Sequence, residues 1–285
     1  MLHLHQQFTL MVLDRMHTRT KIFIITYNNP TLLKENLDSL FSSNANPDSF
    51  SVEIINNFSL IFEVPAEYRD RVKVHHQTLR PDWSCGNLSR DWNSAIINGI
   101  VDLNNPWCDQ LIMAQDDMVW EPDWYSMLQT VHETYTFYSA NEGDCLVSVL
   151  PEAIKKIGLY DERFSVIGHH EGDWFLRAWL YNGDKSSIND YRHRRVHNPT
   201  VEVGRRSRST GDSRSRVVSY NQTIALNLFK EKWGEDVMVT SWGKVERDRS
   251  KIKPLIPSYI MYPYFEKDIE DLKGKNFLFQ GEEIS

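Results

Sequence analysis

Two adjacent carboxylates, Asp116 and Asp117, close the apolar segment DQLIMAQDD. A short apolar run that stops at two acids reads as a buried strand delivering both groups to one sheet edge. Such a pair of hard oxygen ligands suits Mg²⁺ or Mn²⁺, and as plain strand-end acids the two would cap the next element. A second cluster, HHEGDW, brings together His169, His170, Glu171, Asp173 and Trp174. Acids in this setting either cap the helix that follows or take a proton from a bound hydroxyl. The third cluster is GRRSRSTGDSRSR, Gly204 to Arg216, with Arg205, Arg206, Arg208, Arg214 and Arg216 and no apolar residue but glycine. Its composition predicts a mobile segment, either a solvated loop or a lid that orders over a diphosphate. It has no interleaved aromatics and sits in a chain of net charge −7, so nucleic acid is not an expected partner.

The elements that would position these groups alternate. KIFIITYN (Lys21–Asn28) reads as a strand, and from Thr31 the residues Leu32, Leu33, Leu37 and Leu40 make a helical stripe. SVEIIN (Ser51–Asn56) and RVKVHHQ (Arg71–Gln77) read as strands, LSRDWNSAIINGIV (Leu88–Val101) as an amphipathic helix, and DQLIMAQ as the next strand. DCLVSVL predicts another strand before a turn at Pro151 and a short helix. HHEGDWFLRAWLYNG predicts a helix ended by Gly183, and YNQTIALNLFKEKWG, from Tyr220, a last helix. Such alternation predicts an α/β fold with a mixed, mostly parallel sheet flanked by helices in a single domain. Ligands in such sheets sit beyond the carboxyl ends of the strands. Thr26, Tyr27, Asn28, Asn56, Asn57, Asp116 and Asp117 all fall there.

Composition narrows the class. The chain has 285 residues, 41% hydrophobic, enough for one large α/β domain. Three cysteines, Cys85, Cys108 and Cys145, are too few for a disulfide framework and read as reduced thiols of a cytoplasmic-type, soluble protein. No apolar run reaches the length of a membrane span. The expected organisation is an N-terminal extension (1–20), a main domain (21–244) and a C-terminal extension packed on it (245–285).

Four segments in order resemble the GT-A glycosyltransferases, particularly the large inverting family 2: IFIITYNNPTLLKENLDSL with EIINNFS, GNLSRDWNSAI, LIMAQDDMVWEPDW, and IGLYDERFSVIGHHEGDWFLRA. The resemblance runs from about Lys21 to Gly234. It implies a nucleotide-sugar donor, a saccharide or glycoprotein-glycan acceptor and a divalent ion, Mn²⁺ or Mg²⁺. Asp117 then falls on the metal position, Asp116 on the donor ribose or sugar, and His197 on a histidine that completes the metal shell, with His193 as its substitute. Counting back from Arg177, Glu171 takes the position of the catalytic base and Asp173 that of the second acid, although Asp173 reads equally as a helix cap. His169, His170 and Trp174 fall on the acceptor side. Tyr27 either stacks on the base or packs, and Arg90 either faces the donor or is a solvated helical residue.

Two positions depart from the family pattern. Gln115 stands where the family has its first acid, which removes a charge from the metal motif. Asn56, followed by Asn57, stands where an Asp commonly meets the uracil N3–H; an amide oxygen still accepts that bond, so UDP-sugars are the expected donors. The anchor-free build is also similar to small glycosyltransferases of large algal viruses (chloroviruses), xylose-adding ones included, which adds UDP-xylose to the expected donors and host cytoplasm to the expected location; no motif carries that likeness. The alternatives are sugar-phosphate nucleotidyl transfer, disfavoured because TYNNPTLLKEN contains no Gly, and a degenerate protein that only binds glycans.

Overall fold

The computed structural model describes residues 20–27, 29–57, 63–76, 88–140, 145–164, 169–188, 203–206 and 215–235. One inner strand of the sheet is buried along its whole length. β1 (Thr20–Thr26) lies between two parallel partners, β2 (Phe50–Asn56) and β4 (Gln110–Gln115). A strand covered on both faces needs a continuous apolar run, which IFII supplies. Beyond β2 lies β3 (Val72–His76), also parallel. On the other side β4 is followed by β7 (Leu146–Val149), β6 (Phe137–Ala140) and β8 (Ser186–Ile188), giving the order β3-β2-β1-β4-β7-β6-β8. Only β7 breaks the parallel pattern, running antiparallel to both β4 and β6. The mixed, mostly parallel sheet is the one expected from the sequence.

Side-chain alternation along β1 and β4 divides the interior into two layers. Phe23, Ile25, Leu111 and Met113 face a core with Trp92 and Ile96 of α2 (Leu88–Ile100) and with Ala153 and Ile154 of α4 (Pro151–Ile157). Ile22, Ile24, Ile112 and Ala114 face the opposite core. There α1 (Pro30–Phe41) contributes Leu33, Leu37 and Leu40, and α3 (Trp124–His132) contributes Trp124 and Leu128. A third cluster joins Leu176 of α5 (His169–Arg177) to Phe164 and to Ala225, Phe229 and Trp233 of α6 (Ser215–Trp233). No helix among the described residues is long and apolar enough to cross a membrane. Cys108 and Cys145 are buried, and burial pushes the Cys108 thiol up to about 12.

Two expectations are corrected. The arginine-rich segment is ordered at both ends. Gly204–Arg206 forms β9, antiparallel to β5 (Met118–Trp120), and α6 begins at Ser215 rather than Tyr220. The residue before the segment, Val203, is fully buried and accepts the Glu121 amide at 3.1 Å, which extends the β5–β9 pairing by one residue. The helix expected from His169 to Gly183 is α-helical only to Arg177. It widens into a π-turn over Ala178–Asn182, then closes at Gly183 with φ 55.

A polar chain, buried at Thr20, Gln110 and Ser148 and half-buried at Gln129 and His132, links the strands to α3. His132 contacts the Tyr135 carbonyl through Nδ1 and Ser148 Oγ through Nε2, both at 2.7 Å. A carbonyl only accepts, so Nδ1 carries the proton and Nε2 accepts from Ser148. Ser148 in turn accepts from Gln110, whose Oε1 takes Thr20 Oγ1 and Gln129 Nε2. Burial holds the His132 imidazole down at about 4. The unfolded chain therefore binds a proton below about 6.5 that the folded chain refuses, and stability falls as pH drops from there to about 4. Chemical denaturation between pH 7.5 and 4.5 should show wild type losing up to ~3 kcal/mol more than His132→Gln.

A tight approach governs the β5–β9 ribbon. A Cβ on Gly204 would lie 2.7 Å from the Val119 carbonyl oxygen and 2.6 Å from Met118 Cε. Backbone cannot yield as a side-chain tip can, so Gly204→Ala should cost about 1–3 kcal/mol, read as a lower Tm.

Candidate active site

The C-terminal ends of β1, β2 and β4 gather the first group of residues. Strand register sets Thr26 beside Asn56 and Ile25 beside Gln115. Where the strands separate, the Asp116 amide donates to the Ile25 carbonyl at 3.1 Å and the Asn57 amide to the Thr26 carbonyl at 2.9 Å. Thr26, Asn56, Asn57, Gln115, Asp116 and Asp117 therefore share one edge, as the sequence predicts, with Tyr27 half-buried beside them.

Asp116 is held from three sides. Thr26 Oγ1 donates to its Oδ2 at 2.7 Å, and the Asn29 side chain and Tyr27 amide also donate to it. Asn29 occupies the N-cap position of α1 yet makes no side-chain cap bond, its amide being directed to the acid instead. Burial outweighs these bonds: with Asp116 only 8% exposed, desolvation first and the Asp117 charge second push its carboxyl up to about 6. Asp117 is 6% exposed.

The turn bearing both acids is clamped by α1. Asn36, fully buried, donates to the Gln115 carbonyl at 3.0 Å and accepts from Trp120 Nε1 at 2.9 Å, so one amide spans the turn. Ser39 Oγ receives the Trp120 amide at 3.0 Å. Asn36 escaped the sequence reading, although a polar residue on the apolar stripe between Leu33 and Leu37 was a visible signal.

The second group lies on α5. His169, His170, Glu171 and Asp173 are all buried, Glu171 at 2% exposure, and His170 Nε2 lies 3.4 Å from Glu171 Oε2. Asp173 is committed to neighbours: Arg177 at 2.9 Å, Lys232 at 2.7 Å and Trp233 Nε1 at 2.8 Å. This gives it a holding role, neither cap nor exposed acid. Trp174, expected on the acceptor side, is packed in the core. It has 0% exposure, stacks on Tyr160 at 4.2 Å and donates to the Gly158 carbonyl, so it presents no face to a ligand.

The first turns of α2 reach from the strand-end edge to the Tyr160–Phe164 segment. Asp91, fully buried, accepts from Asn57 at 2.5 Å, while Ser89 donates to the Phe164 carbonyl at 2.5 Å. Asn93 grips Tyr160, taking its amide at 2.7 Å and giving to its carbonyl at 2.9 Å. Ser89, Asp91 and Asn93 are thus the working residues of GNLSRDWNSAI, and Arg90 is exposed. Asn28, His193 and His197 lie outside the described residues.

Among the described residues no three His, Cys, Asp or Glu converge as a metal site. The edge nonetheless fits a hard divalent ion. Two adjacent carboxylates repel each other in a water-poor setting, Gln115 adds an amide on the same turn, and such ions take their remaining ligands from phosphate and water.

No family model matches the chain, and no curated protein matches it by sequence. Solved structures similar to it in fold include S. aureus TarS, at 11% identity and TM-score 0.48, covering 75% of this chain and 39% of TarS. TarS 1–349 in complex with UDP-GlcNAc is similar at 10% identity and TM-score 0.46, over 74% of this chain and 66% of that one. The mannosyltransferase PcManGT from Pyrobaculum calidifontis, in complex with GDP-Man and Mn²⁺, is similar at 12% identity and TM-score 0.49, over 90% and 76%. The chain thus spans well under half the length of full TarS.

The raised carboxyl of Asp116 has a thermodynamic consequence. The folded state favours its protonated form, so stability is lost as pH rises from about 3.8 to 6, and the cost is complete at neutral pH. At pH 7.5 Asp116→Asn should therefore raise stability by about 1–3 kcal/mol in metal-free buffer, measured by denaturant unfolding. Mn²⁺ should raise the Tm of wild type and of that variant, but not of Asp117→Asn.

Proposed function

We propose that this chain is a glycosyltransferase of the GT-A type, taking a sugar from a nucleoside-diphosphate donor to a hydroxyl of a glycan with inversion. One observation carries the reading. A buried carboxylate pair ends β4 and a separate carboxylate, Glu171, is buried on α5, while the first turns of α2 bond both Asn57 at the strand-end edge and Phe164, which packs on Leu176 of α5. Transfer needs these two features: compensation of charge on the leaving diphosphate, and a base for the acceptor hydroxyl.

The roles follow from position. Asp117, with the Gln115 amide and His197, would hold Mn²⁺ or Mg²⁺; when bound, such an ion offsets the negative charge that grows on the diphosphate. Asp116, fixed by Thr26, Asn29 and Tyr27, orients the donor by accepting from ribose or sugar hydroxyls. Asn56 and Asn57, at the end of β2, serve the base, for which a UDP-sugar, UDP-xylose among them, is the favoured donor. Arg90, exposed on α2, is available to the donor phosphates. Glu171 takes the proton of the attacking hydroxyl. His170, 3.4 Å from that carboxylate, orients it, and His169 completes the buried pair behind the acceptor.

A donor-hydrolysis screen of the purified protein tests this. UDP- and GDP-sugars would be offered with Mn²⁺, with Mg²⁺ and with chelator. The expected result is metal-dependent release of nucleotide from one donor, abolished by Asp117→Ala. Glu171→Gln should lower kcat about 10²–10⁴-fold while UDP binding, followed by calorimetry, stays unchanged. A protein that binds no nucleotide and hydrolyses no donor would defeat the proposal.

A further inference from the structure

A buried ionic cluster outside the strand-end edge joins the last helix to the helix bearing Glu171. Lys232, 3% exposed near the end of α6, places Nζ 2.9 Å from Asp161 and 2.7 Å from Asp173. Each carboxylate has a second cation: Arg163 at 2.6 Å on Asp161, Arg177 at 2.9 Å on Asp173. Trp233, the next residue on α6, also donates to Asp173. The cations hold the Asp161 carboxyl well below the usual range.

A single buried ammonium thus fixes three segments: the loop before α5 through Asp161, α5 through Asp173, and α6 itself. Asp173 lies two residues after Glu171 on the same helix. The loop of Asp161 is also the one gripped by Asn93 of α2 at Tyr160. Apolar packing of Phe229 and Trp233 against Phe164 and Leu176 brings α6 close, but such contacts are non-directional. The ion pairs and the Trp233 bond are directional, and they set the rotation of α5 about its axis.

We infer that Lys232 is a positioning residue, holding α5 in the rotation that presents Glu171 to the acceptor and making the C-terminal helix part of the catalytic assembly. The inference rests on the transferase reading above. Lys232→Met is the informative variant, because it leaves Asp161 with Arg163 and Asp173 with Arg177 and Trp233, so neither carboxylate is stranded without a partner.

The test uses the full chain and the UDP- or GDP-sugar that the wild type hydrolyses. Lys232→Met should lower kcat for hydrolysis by ~10–100-fold with donor KM within about twofold, because a displacement of the order of 1 Å costs that much. Lys232→Arg should restore most of the loss. Amide hydrogen exchange should quicken over His169–Arg177 while β1 and β4 keep their protection. Wild-type kcat in Lys232→Met, or unchanged exchange in α5, would overturn the inference and leave the transferase reading standing. So would exchange that quickens equally everywhere with kcat and KM failing together, since that marks a contribution to the fold alone. A wild type silent with every donor would overturn the transferase reading and the positioning role with it.

Discussion

The structure turns on a carboxylate that the fold keeps from water against its own preference. Asp116 sits where β1 and β4 end, and its charge is opposed both by burial and by the neighbouring Asp117. Three donors from the β1–α1 connection, Thr26, Tyr27 and Asn29, offset part of that cost without removing it. Much of the surrounding architecture serves to keep the acidic turn in place under this repulsion. Asn36 and Ser39 of α1 bind Gln115 and Trp120, β5 carries the chain onward into the β9 ribbon, and Val203 anchors that ribbon in the core. Groups held at a cost in a site are where binding of a cation or polar ligand has most to gain.

The second constraint is that the two halves must be fixed relative to each other. Parallel strands cannot do this, because Glu171 is not on the sheet. The first turns of α2 perform the task with short side chains: Ser89 and Asp91 reach different partners, and Asn93 lies four residues after Ser89 on the same helix. Short polar side chains lose little rotamer freedom and suit buried, fully paired positions better than long ones. Arg90, between them, is exposed.

The central elements were legible because their signals are local. IFIIT, VEIIN and LIMAQ are apolar runs ended by polar residues, and the observed strands match them to within one or two residues. Asp116, Asp117, Thr26 and Asn56 were legible for the same reason, since strand ends in a parallel sheet converge. What escaped depends on partners far away in the chain. The three-residue strands β5 and β9 carry too little periodicity to be read, and β9 forms only because β5 offers a mate and Gly204 permits the approach. An Arg/Ser/Gly composition says nothing of that. The packing of Trp174 on Tyr160 and Phe137 was not legible, because an aromatic beside acids looks the same in sequence whatever it meets.

Asp173 and Lys232 carry that reasoning one step further. In sequence Asp173 is an acid beside a proposed base, and Lys232 is one of two lysines in a helix ending FKEKWG. Only their meeting across 59 positions of chain distinguishes them from a helix cap and a solvated lysine. Buried ionic clusters contribute little net stability compared with apolar packing, yet they discriminate strongly between orientations, because a rotated helix would strand a charge. In a protein whose core is already supplied by two extensive apolar layers, a cluster of this kind adds orientation more than stability. On the proposed reading it orients the helix that carries Glu171, the carboxylate that proton transfer would use, and so α6 belongs with the site and not merely with the scaffold.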